Sequence, residues 1–209
     1  MNKWLIGCGL AAGVAVLFCL SVATTVIGIN NSVVTKNQAC DAGWSQVENV
    51  YQRRLDLIPN LVATVKGAAS HELDVQVKTV EQRASATKVT VNASNLDDLK
   101  KFQAAQGELS GALSRLMVVS EQYPQIKANE NFLNLQTQIE GTENRVAVER
   151  KKFNDVVQDY NSYVVRFPAS FIADFRGFKV RPFYKADEAA KYAPKVDFSK
   201  DAVPVKAEK

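Results

Sequence analysis

Residues 129–168 read NENFLNLQTQIEGTENRVAVERKKFNDVVQDYNSYVVRFP. Phe132, Leu135, Ile139, Thr142, Val146, Phe153, Tyr160 and Val164 recur along this stretch at steps of three, four or seven. That spacing predicts one long amphipathic helix, because a chain turning every 3.6 residues brings such positions onto one face. Asn129 supplies an N-cap side chain, and Pro168, with no N–H to donate, marks the stop. Alternation of period two, the signature of a half-buried strand, appears over no useful length of the chain. A one-faced helix has to bury its stripe against other helices, so this stretch decides for an all-α fold.

The same pattern extends towards the N-terminus. Asn95 followed by Asp98 is a capping arrangement, and Leu99, Phe102, Leu109, Leu113, Leu116 and Tyr123 give a near-heptad face that ends at Pro124. The β-branched and polar run from Lys88 to Asn95 is the break before it. Further back, Trp44, Val47, Tyr51, Leu55 and Ile58 share one face, and Leu61, Val65, Leu73, Val77, Val80 and Ala84 continue an apolar stripe. Pro59 lies between them, either as a kink or as the first residue of a new helix. Four long amphipathic segments with short connections predict an antiparallel four-helix bundle over residues 30–168.

From Trp4 to Ile29 there is no Asp, Glu, Lys or Arg. At about 1.5 Å per residue this run exceeds the roughly 30 Å hydrocarbon core of a bilayer, so residues 1–29 are expected to form a transmembrane anchor. A cleaved signal peptide is the rival, with Ser21-Val22-Ala23 as its small-x-small site. Against it, the apolar run continues past that site to Ile29 and is longer than an h-region of about 7–15 residues. Asn30-Asn31-Ser32 contains no Gly or Pro, so the first bundle helix is expected to run straight out of the span. Gly9 and Gly13 stand four apart within it, a pattern that lets two membrane helices approach closely and predicts a homo-oligomer. Lys3 and the terminal amine before the span, against Lys36 after it, place the N-terminus in the cytoplasm and the bundle outside.

Composition narrows the chemistry. The excess of 26 Lys+Arg over 22 Asp+Glu is small and forms no basic stripe, so nucleic acid is not an expected partner. His71 is the one histidine, and His71-Glu72 is half of a metalloprotease signature without its second half, since position 75 is Val. A zinc site needs three or more protein ligands, so no metal site is expected. No nucleophile elbow, Walker loop or dinucleotide-binding glycine pattern occurs, and Cys40, the one cysteine beyond the span, reads as a spacer-region thiol with no base beside it in sequence. No catalytic residue and no cofactor is therefore expected.

Two sets of residues stand out beyond the core pattern. Glu121, Glu143, Asn144, Arg150, Asn154 and Asn161 form a candidate polar network, with Phe153-Asn154 and Tyr160-Asn161 repeating seven apart on one helix face. Such a network fixes the register of a bundle or, as an alternative, lines a small-ligand pocket. Between residues 169 and 184, Phe171, Phe175, Arg176, Phe178 and Phe183 form a candidate interface rich in aromatic and basic residues. It is expected to pack back on the bundle, bind a neighbouring subunit or lie at the membrane interface. Residues 185–209, dominated by Lys, Ala and Pro, read as a disordered tail.

Several strings carry a family resemblance: Trp44-Ser45-Gln46-Val47, the run from Arg53 to Val62, His71-Glu72, Glu121-Gln122-Tyr123-Pro124 and Lys127-Ala128-Asn129. Phe132, Leu135-Gln136, Glu143-Asn144, Arg150, Phe153-Asn154, Tyr160-Asn161 and Phe167-Pro168 follow in order. From about Trp44 to Tyr184 the chain resembles the LemA family of membrane-anchored bacterial proteins. The resemblance implies one N-terminal membrane helix followed by a four-helix bundle, located in the bacterial inner membrane. It brings no catalytic residues, and its associations with magnetosome membranes and membrane proteases imply membrane organisation or envelope quality control. The expected function is a non-enzymatic, membrane-anchored scaffold or adaptor that contacts the lipid bilayer, other copies of itself and a membrane protein such as a membrane protease. The alternative is an extracytoplasmic sensor or ligand-binding module using the polar faces of the third and fourth helices.

Overall fold

The computed structural model describes residues 3–68, 83 and 91–185, with side chains from residue 12 onward. Among these residues there is no strand. The elements are α1 (Lys3–Ala68), α2 (Leu96–Glu121), α3 (Pro124–Lys127), α4 (Glu130–Val164) and α5 (Ala169–Arg176). The part of the expected second helix beyond Ala68 falls, apart from Arg83, outside the described residues, as do His71 and the expected tail from residue 186.

The first helix has 66 residues and is therefore about 100 Å long. Residues 12–28 are exposed all round although they carry no charge, an arrangement that water disfavours and lipid accommodates. Among the described residues this is the one helix long and apolar enough to cross a membrane. Burial begins at Ile29, which packs on the bundle core, and continues at Val33, Cys40, Trp44, Val47 and Tyr51 with no break in the helix. Cys40 is thus a core residue rather than a spacer thiol. Its S–H donates to the Val156 carbonyl at 3.6 Å, and burial raises the thiol above its ordinary range.

Pro59 neither ends α1 nor opens another helix: α1 runs through it to Ala68, and Leu61 and Val65 continue the buried stripe. A proline inside a helix deletes the N–H that would bond the carbonyl four residues back. Here that carbonyl belongs to Leu55, and Arg83 Nε donates to it at 2.9 Å. The side chain replaces the missing backbone donor.

α1 and α4 are antiparallel, since Lys36 meets Asp159, Cys40 meets Val156 and Arg54 meets Glu143. They approach closely at Gly43, where a Cβ would stand 3.1 Å from a Val156 methyl and 3.7 Å from the Phe153 Cα. α2 runs the same way as α1, because Phe102 packs edge-on against Trp44 and Tyr51 while Ser110 lies beside Arg54. The caps expected from sequence are present: the Asn95 side chain accepts from the Asp97 N–H at 2.9 Å, and that of Asn129 from the Asn131 N–H at 2.9 Å. Between α2 and α4 the chain inserts α3, opened by Pro124 in its first turn.

Two apolar cores stack along the bundle. The one nearer the span gathers Val33, Trp44, Tyr51, Phe102, Phe153 and Tyr160; the farther one gathers Ile58, Leu61, Leu109, Leu116, Ile126 and Phe132. At their junction lies Arg54, 2% exposed, paired with Glu143 and donating to the Ser110 hydroxyl at 3.0 Å.

Candidate functional site

Asn154 and Asn161 are two helical turns apart on α4, and each grips the backbone of one residue beyond α5. The Asn154 amide donates to the Tyr184 carbonyl and accepts from the Tyr184 N–H, both at 2.8 Å. Asn161 treats Arg181 identically, again at 2.8 Å in both directions. The metrics agree: seven helical residues rise about 10.5 Å, and three extended residues span about 10 Å. The amides thus stand in for a neighbouring strand, and residues 178–185 form a strap running antiparallel to α4.

Side chains lock the strap further. Arg181 is 7% exposed and donates from Nε and Nη2 to the Asn37 side-chain oxygen at 3.0 and 2.8 Å. Its Nη1 meets the Asp41 carboxylate at 2.7 Å, so the buried charge is paired rather than stranded. The Tyr184 hydroxyl lies 3.0 Å from that of Tyr51, and the Tyr184 ring stacks near Trp44 with the Arg150 guanidinium 4.0 Å from its centre. Burial, with the adjacent Tyr184 hydroxyl adding, pushes the Tyr51 phenol far above the usual tyrosine range. Tyr160 donates to the Lys179 carbonyl at 3.0 Å, and its phenol is also raised, chiefly by desolvation. At the far end, Arg150 and Gln103 both donate to the Lys185 carbonyl, at 3.2 and 2.9 Å.

The six residues of the expected polar network therefore part company. Arg150, Asn154 and Asn161 converge on the strap, Glu143 pairs instead with Arg54 of α1, and Glu121 and Asn144 are exposed away from both groups. The expected aromatic interface divides as well. Phe178 is half-buried against the core and Phe183 lies exposed along the strap, whereas Phe171 and Phe175, with Arg176, face outward from α5. Of the two span glycines, Gly13 has nothing within 4 Å of the place a Cβ would take, and Gly9 lies where the backbone alone is described. Asn37, Asp41, Tyr51 and Gln103 belong to the site but were not picked out by sequence. Asn37 and Asp41 are four apart on one helix face beside a buried stripe, a weak signal that becomes legible only once Arg181 is known to reach them.

Comparison with known proteins places this geometry in context. The LemA family model matches residues 43–198, which takes in α2, α4 and the strap and begins just after Asn37 and Asp41 of α1. "Magnetosome protein MamQ" of Magnetospirillum gryphiswaldense is 29% identical over 189 residues, covering 81% of this chain and 70% of the relative. "Magnetosome protein MamQ 2" of Paramagnetospirillum magneticum is 28% identical over 195 residues, covering 84% and 72%. With an apolar N-terminal helix, an all-α bundle and a family match spanning most of its length, the chain belongs to the LemA family.

Proposed function

We propose that this protein is a non-enzymatic, membrane-anchored helical scaffold that self-associates and serves membrane organisation or envelope quality control. In this reading it passes once through the bacterial inner membrane, with the N-terminus in the cytoplasm and the bundle outside. A membrane protein, such as a membrane protease, is a further partner. One observation carries the reading: span and bundle share a single unbroken helix, α1, so the orientation of the bundle is tied to that of the span. A rigid surface held at a set height above a bilayer suits assembly better than turnover. Relatives named for the magnetosome point the same way. The polar groups on which a ligand-binding reading would depend, Arg150, Asn154 and Asn161, are engaged by the protein's own strap.

Self-association through the span is tested by Gly9→Leu combined with Gly13→Leu, which blocks close backbone approach. The mass of the detergent-extracted protein is expected to fall towards that of a monomer. An unchanged mass would remove the span from the assembly.

A further inference from the structure

The strap leaves one part of the molecule turned outward. α4 ends at Val164, and Arg181 returns to the level of Asn37 and Asp41 on α1. Because Asp159 stands beside Lys36 and each helical residue rises about 1.5 Å, Val164 stands level with about Asn31. Residues 165–180 therefore cap the end of the bundle that faces the span. Within this cap the usual helical arrangement is inverted. Ala169 and Ala173, four apart, are the buried residues of α5, whereas Phe171 and Phe175, also four apart, point away from the bundle. Phe167, Phe171 and Phe175 are 88%, 76% and 86% exposed, and Val165 and Val180 lie bare at the two edges. Gly177 holds the cap closed: its φ of +76°, a left-handed conformation that suits glycine, turns the chain so that the Phe178 N–H donates to the Ala173 carbonyl at 2.9 Å. Arg166, Arg176 and Lys179 lie in the same segment as these aromatic residues, with Asp174 as its one acidic residue.

We infer that this cap is a second membrane contact, in which Phe167, Phe171 and Phe175 enter the interfacial layer of the bilayer and the three basic side chains lie among anionic headgroups. Small residues turned inward and large aromatic ones outward make sense when the outer medium is itself apolar. Continuity with the span names that medium. The cap begins within about one helical turn of the place where the bare apolar surface of α1 ends, around Gly28 and Ile29, so the two apolar surfaces lie at the same end of one rigid body. One helix through a bilayer leaves rotation and tilt free; a second contact, set to one side of it, fixes both. The inference rests on α1 being a membrane span, and its test keeps the two apart.

A photoreactive benzoylphenylalanine is placed singly at Phe18, Phe171, Phe175 or Val118 in the full chain. Each protein is reconstituted in vesicles of phosphatidylethanolamine and phosphatidylglycerol, irradiated, and its adducts identified by mass spectrometry. Lipid adducts at positions 171 and 175 comparable with those at 18, and none above background at 118, are the expected result. Lipid adducts at 18 alone would overturn the cap contact while leaving the span in place. Adducts at 171 and 175 to a second copy, in place of lipid, would overturn it in favour of a subunit interface. Lipid adducts at 118 as well would mark indiscriminate labelling and overturn it too, and their absence at 18 would remove the span together with everything built on it.

Discussion

Asn154 and Asn161 devote their side-chain amides to backbone groups, so truncating either leaves a donor and an acceptor of the strap without their partners. Asn154→Ala and Asn161→Ala are each expected to cost about 1–3 kcal/mol in thermal or urea unfolding of the detergent-solubilised protein, and to open residues 178–185 to limited proteolysis. Asn154→Asp keeps the acceptor for the Tyr184 N–H but loses the donor, and should fall between wild type and alanine. Tyr51 gives a prediction of a different kind. Its phenol holds the proton in the folded protein after an unfolded tyrosine has lost it, so stability is complete below about pH 10. Above that it should decline by up to about 1.4 kcal/mol per pH unit, and unfolding of Tyr51→Phe across about pH 9–11 should show a shallower fall. What was legible at this scale was position rather than partnership. The seven-residue repeat of Asn154 and Asn161 placed both on one face of α4, but a helix cannot announce that its amides will clasp a segment twenty or more residues later. The same non-locality hid Tyr51, whose place in an apolar stripe accounted for it fully until Tyr184 arrived beside it.

At the scale of elements, α2 and α4 were readable because their stripes, caps and stops agree with one another, and Asn95 and Asn129 cap as their side chains dictate. The local pattern left α1 open at Pro59, since whether a helix survives a proline depends on whether the orphaned carbonyl finds another donor. Arg83 supplies that donor from another part of the chain. A double-mutant cycle makes this quantitative. Arg83→Ala should destabilise the wild-type background by about 1 kcal/mol more than it destabilises Pro59→Ala, in which the backbone N–H is restored. Equal penalties in both backgrounds would dissociate the arginine from the proline. The α1–α4 contact makes a second claim at this scale. Gly43→Leu forces a branched side chain against Val156 and Phe153 and should cost about 1–3 kcal/mol. The short helix α5 escaped sequence analysis because its pattern is inverted, with alanines inside and phenylalanines outside, so the aromatic density was visible but its direction was not.

Over the described residues the molecule is a rod whose N-terminal end is the bare apolar part of α1. Bare apolar surface over residues 12–28 passes without interruption into a bundle with two stacked cores, and residues 165–180 close the end of that bundle nearest the span. Arg54 separates the two cores, and because its partner Glu143 is itself partly exposed, Glu143→Ala should cost about 1–2 kcal/mol rather than the larger penalty of a fully enclosed pair. Because α1 is one continuous helix, the orientation of the bundle is tied to that of its apolar N-terminal part. The most direct test of the scaffold is chemical crosslinking in native membranes, followed by mass spectrometry of everything attached to the chain. Links between copies of this protein, clustered along the span, are the expected result. Recovery of the protein as an isolated monomer, with no link to another copy or to a membrane protein, would contradict it.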